Sequence, residues 1–183
     1  MRYAYKTDIG HRAHNEDSFR VPNENDTHPF VAVADGMGGH AAGAVASSMV
    51  IESLNEELKD LRDGDLLGQL KRAVQKANGN VYRAAQNDPE KRGMGSTLVC
   101  ALLNDRRYIV ANVGDSRLYH FDGAMIEQMT HDHTLVQMLV DSGEITPEEA
   151  RTHPRRNLIT RAMGIGIRTD VDLFDCEWMS GDI

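Results

Sequence analysis

The chain has 183 residues, enough for one globular domain spanning 1–183. Hydrophobic residues at 40% and charged residues at 26% are ordinary for a folded soluble protein and argue against disorder. A formal charge of −8 and an aromatic content of 5% disfavour nucleic-acid and anionic-membrane binding, which call for basic surfaces or base-stacking rings.

The N-terminal MRYAYKTDIG lacks the apolar core of a signal peptide, and no stretch is long enough to span a bilayer. A cytoplasmic protein without membrane insertion is therefore expected. Residues 1–6 read as a short extended segment, and the apolar run 30–34, ending at Asp35, as a buried strand. Helical spacing follows over 41–61, through Val45, Met49, Leu54 and Leu58. Arg62-Asp63-Gly64-Asp65 marks a turn. A second helix over 66–86 carries Leu67, Leu70, Val74, Ala77, Val81 and Ala84 on one face, with Gly79 costing it about 1 kcal/mol relative to alanine.

After Asn87-Asp88-Pro89 the pattern changes to strands, over 97–103, 108–113, 117–121 and 125–129. Asp122-Gly123 is a two-residue hairpin signal, and Asn104 to Arg107 a longer turn. The short connections imply antiparallel pairing. Residues 135–140 read as helical, and Thr146-Pro147-Glu148-Glu149 as a capping box with proline at the first helical position. A last strand is expected over 171–178. Strands in runs, with helices grouped between them, define an α+β layered domain. Cys100, inside the apolar run TLVCALL, reads as a buried free thiol; it and Cys176 match no metal or redox spacing.

Three polar clusters carry candidate chemistry. Asp35-Gly36-Met37-Gly38-Gly39-His40 joins a strand to a helix, where a rigid carboxylate and a nearby carbonyl suit a hard divalent cation. The same composition also suits a simple tight turn, and the lysine of a P-loop is absent. Asp8 to Arg12, followed by Asn15-Glu16-Asp17, sets two carboxylates beside an arginine whose planar fork matches phosphate oxygens. Taken alone, that stretch reads first as a solvated turn with surface ion pairs. Gly114-Asp115-Ser116 between two strands is common hairpin chemistry, although an aspartate among apolar strands needs a partner. His131-Asp132-His133 has no third ligand nearby for zinc and reads as a polar loop and helix start.

In this order the clusters resemble the type 2C, or PPM, family of metal-dependent serine/threonine protein phosphatases, the small bacterial enzymes above all. The resemblance is carried by residues 8–17, DGMGGHAAG at 35–43, GMGSTLV at 93–99 and VGDSRLY at 113–119. It continues through THDHTLVQMLVDSGEIT at 130–146 and HPRRNLITRAMG at 153–164. It implies a four-layer α-β-β-α sandwich of two antiparallel sheets flanked by helices. It also implies two Mn2+ or Mg2+ ions bridged by Asp35, with the carbonyl of Gly36 on one of them. Glu16 and Asp17 would support that centre, and Asp115 a third, weaker cation. Arg12 would hold the substrate phosphate, and His40 would match a general acid. Residues 131–160 would form a mobile flap.

The substrates so implied are phosphorylated proteins, with a serine/threonine kinase as the opposing partner. Members of the family continue beyond the equivalent of residues 181–183 into two further ligating aspartates. The fold is thus expected to be truncated at the C-terminus, and the chain alone to be inactive or weak. The alternative is a non-catalytic phosphoprotein-binding or regulatory short form.

Overall fold

The structure, a computed structural model, describes residues 2–24, 26–39 and 42–183. Its centre is an antiparallel sheet in the order β1 (Asp17–Arg20), β2 (Phe30–Met37), β4 (Leu98–Leu103), β5 (Arg107–Val113), β8 (Asp172–Glu177), with the short β3 (Gly95–Ser96) paired to the end of β2. Alternation along the strands sorts side chains to two faces. Phe30, Ala32 and Ala34 of β2, Leu98, Cys100 and Leu102 of β4, and Ile109, Ala111 and Val113 of β5 all enter one buried cluster. The helices α1 (Ala42–Leu58) and α2 (Leu66–Asn87) close that cluster with Ala46, Val50, Leu54, Leu58, Leu70, Val74, Ala77 and Val81. Asp65 starts α2 by accepting the Gly68 N–H at 2.8 Å.

The opposite face is smaller and unevenly covered. Val99, Ala101, Leu103, Tyr108 and Val110 form its core, with Leu118, Phe174 and Trp178 packed against them. The hairpin β6 (Tyr119–Phe121) and β7 (Ile126–Gln128) adjoins it, where His120 Nδ1 lies 3.0 Å from the Tyr108 hydroxyl. Over β1 and β2 this face is open. Phe19 and Val33 are exposed there, and Tyr5 lies tilted on Phe19 with ring centroids 4.9 Å apart. Two short helices, α3 (Leu135–Asp141) and α4 (Pro147–Thr152), follow the hairpin. No helix among the described residues is long and apolar enough to cross a membrane.

Several expectations are corrected. Of the extended segment read over 1–6, the described residues 2–6 join no sheet; the edge strand is instead the polar Asp17–Arg20, whose Ser18 and Arg20 face α1 and bond Ser47 and Asn55. Polar side chains are usual on an edge, and this one escapes a search for apolar alternation. Strand β2 does not stop at Ala34 but continues through Asp35-Gly36-Met37, because β1 and β3 pair with that stretch. The Asp122-Gly123 connection spans four residues, since Phe121 pairs with Ile126; the Asp122 carboxylate accepts the amides of Ala124 and Met125 and stabilises the longer turn. The capping box at Thr146 and Glu149 is present as read. Thr134 caps α3, in keeping with the helix-start reading of residues 131–133.

Candidate active site

Asp17 and Asp35 are direct cross-strand partners in the β1–β2 register. Directly opposed residues project to the same face of a sheet, here the face away from α1 and α2. The Asp35 carboxyl is pushed above the usual carboxylate range, first by burial and then by the charge of Asp17 beside it. Asp115 adds to the rise, while Arg12 opposes it. Asp35 from β2 thus feels the carboxylates of Asp17 on β1 and Asp115 in the turn after β5, with the Arg12 guanidinium opposing them. Asp115 is itself raised, with burial the leading cause.

Backbone geometry fixes these groups. Gly36 N–H donates to the Glu16 carbonyl at 3.1 Å, and a Cβ on Gly36 would overlap the carbonyl of Gly43 at the start of α1. Only glycine lets strand and helix approach this closely. The Glu16 carboxylate lies against Gly43, 2.8–3.0 Å from where a Cβ would stand, so Glu16 and Asp17 diverge to opposite sides of the strand. The Asp35 N–H donates to Thr97 Oγ1 at 2.9 Å, and Thr97 Oγ1 lies 2.7 Å from Ser116 Oγ. That hydroxyl pair joins Asp35 to the turn carrying Asp115. Arg12 sits in the exposed turn before β1, its N–H donating to the Ile9 carbonyl at 3.2 Å. His40 lies outside the described residues.

Of the candidate residues, the structure sets Arg12, Asp17 and Asp115 within electrostatic reach of Asp35, leaves Gly36 next to it in β2, and turns the Glu16 carboxylate towards Gly43. The contacts of Thr97, Ser116 and His133 with this region were not legible, because a hydroxyl or an imidazole carries no sequence signal for the distant backbone or hydroxyl that it meets.

The donor set suits a hard cation. An excess of oxygen anions, one raised by its neighbours, is relieved by a divalent charge, and Mg2+ or Mn2+ keep several waters and need few protein ligands. Among the described residues no group of three or more His, Cys, Asp or Glu side chains is placed closely enough to hold a metal ion by itself.

Comparison with known proteins agrees with this chemistry. A family model described as protein phosphatase 2C matches residues 4–137. The serine/threonine phosphatase stp of Listeria monocytogenes is 38% identical over 187 aligned residues, covering 100% of this chain and 74% of its own length. Stp1 of Staphylococcus aureus superposes with a TM-score of 0.86 at 40% identity, over 92% of this chain and 67% of that one. The catalytic domain of the phosphatase PstP, solved in complex with 2 manganese ions, superposes at 0.78 with 40% identity, over 93% and 69%. The chain belongs to the protein phosphatase 2C family, the protein-serine/threonine phosphatases of PPM type. Its fold is accordingly the α+β sandwich of that family.

Proposed function

We propose that this site hydrolyses phosphoserine and phosphothreonine in proteins, with water as the nucleophile and two Mn2+ or Mg2+ ions as cofactor. The observation that carries the proposal is the cross-strand pairing of Asp17 with Asp35, with Arg12 and Asp115 acting on the same carboxyl. When bound, the cations neutralise the carboxylates and the phosphate and make a water acidic enough to attack near pH 7.

The chain's own residues do the rest. Asp35 and Asp17 would hold the ions, with the Gly36 carbonyl as a neutral donor, and Glu16, whose carboxylate turns towards Gly43, would support them only through bound water. Arg12 binds and orients the phosphate and offsets charge as the phosphoryl group transfers. Asp115 serves a third, weaker cation, His40 is the general acid, and residues 131–160 act as a flap over the site. A phosphoprotein pool implies a serine/threonine kinase acting in opposition, and we place both in the cytoplasm.

With few protein donors assembled, the 183-residue chain is expected to turn over weakly. The test is Mn2+-dependent phosphate release from a phosphothreonine peptide by the chain and by Asp35→Asn. Slow release that disappears in the variant supports the proposal. Fast release that survives Asp35→Asn rejects it, and peptide retained with no phosphate released favours the binding-module alternative.

A further inference from the structure

We propose that His133 is a positioning residue: it grips the Gly114-Asp115-Ser116 turn and thereby fixes the backbone that carries Asp115. The functional consequence rests on the reading of Asp115 as a cation ligand, but the grip itself is a matter of geometry.

The His133 Nδ1 lies 3.0 Å from the Gly114 backbone nitrogen. An amide N–H can only donate, so Nδ1 carries no proton. The ring is therefore neutral with its proton on Nε2, which donates to Asp172 Oδ2 at 2.9 Å. Arg161 Nη1, 3.2 Å from Nε2, is also a donor, and it finds its acceptor in Asp172 Oδ1 at 2.8 Å instead. The backbone of His133 completes the hold, its N–H donating to the Gly114 carbonyl at 3.0 Å. One residue thus binds both polar groups of the glycine, and does so while almost fully buried, with 5% of its surface exposed.

From the other side the turn rests on β4. Ser116 Oγ meets Thr97 Oγ1, and Gly114, at φ +109°, sits so close that a Cβ would stand 2.7 Å from Thr97 Cγ2. Asn112 Nδ2 donates to the His131 carbonyl at 3.0 Å, and Thr160 N–H to the His133 carbonyl at 2.7 Å. The stretch that bears His133 is therefore anchored both to the sheet and to the segment beyond α4.

The experiment uses the 183-residue chain with His133→Ala, His133→Asn and Asp115→Asn. Long-range 15N–1H spectra of the unmutated chain should show the Nε2–H tautomer. His133→Ala should speed exchange of the Gly114 amide and weaken Mn2+ binding, followed by the resonance of free Mn2+, by about tenfold, as supporting residues around metals do. His133→Asn, whose Oδ1 can stand where Nδ1 stood, should recover most of both losses. A proton on Nδ1 overturns the inference without any variant, even if His133→Ala does not fold. So does a Gly114 exchange rate unmoved by His133→Ala, or an asparagine that behaves as alanine does. Mn2+ affinity unmoved by Asp115→Asn, or no Mn2+ binding at all, defeats the reading of Asp115 as a ligand, and the exchange data then judge His133 separately.

Discussion

Asp35 is held at a cost to the fold when no cation is present. Its carboxyl is raised by burial and by Asp17, so its ionised form at neutral pH destabilises the native state. Asp35→Asn removes that charge and keeps the shape. The expected outcome is a melting temperature a few degrees higher than wild type in chelator, together with loss of Mn2+-dependent phosphate release. Excess Mn2+ should stabilise the wild type but not the variant, and a thermal-shift series with and without chelator reads both. Gly36 faces the reverse problem. A methyl there collides with the Gly43 backbone, so Gly36→Ala should cost about 1–3 kcal/mol in urea unfolding, the range for overpacking. At Cys100 burial pushes the thiol up to about 12, and the folded chain should leave it unmodified by a thiol reagent until denaturant is added.

At the scale of elements, β8 is tied to the segment after β7 by a charged contact. Burial alone would raise the Asp172 carboxyl, but the hydrogen bond from His133, with Arg161 alongside, holds it below the usual range. A carboxyl lowered in the native state stabilises it above the unfolded value, about 3.9, and loses that effect as pH falls through the native one. Asp172→Asn should therefore lower the melting temperature at pH 7, with the difference from wild type shrinking below about pH 4. The helix α4 is held by its ends, since six residues are too few to persist on propensity. Thr146→Ala removes the cap and should cost about 1 kcal/mol locally. Faster amide exchange over 147–152, with little change in global melting, is the expected readout.

The whole molecule is asymmetric about its sheet. One face is sealed by α1 and α2, while the other leaves Phe19 and Val33 exposed over β1 and β2. Exposed apolar surface beside an unpaired edge favours self-association. Val33→Thr keeps the branched side chain that a strand prefers and adds a hydroxyl. It should reduce light scattering at high protein concentration with little effect on melting, because Val33 is not buried.

How much of this was legible in the sequence depends on the kind of signal. Helices α1 and α2, strands β4 and β5, and the α4 capping box follow from periodicity and cap chemistry, which act over neighbouring residues. The candidate ligands were legible as three separate clusters, and their order along the chain carried the family resemblance. Strand β1 was not, because Asp-Ser-Phe-Arg has no apolar alternation and becomes a strand only when β2 supplies its hydrogen bonds. The continuation of β2 through Asp35 depended on the same pairing. The sequence by itself determined which side chains have the chemistry that suits cations and phosphate, since carboxylates and a guanidinium are a property of residue type. Only tertiary structure decided that residues 17 and 115 both act on Asp35, that Glu16 turns aside, and that His133 reaches back to Gly114, because register and burial are settled between segments distant along the chain.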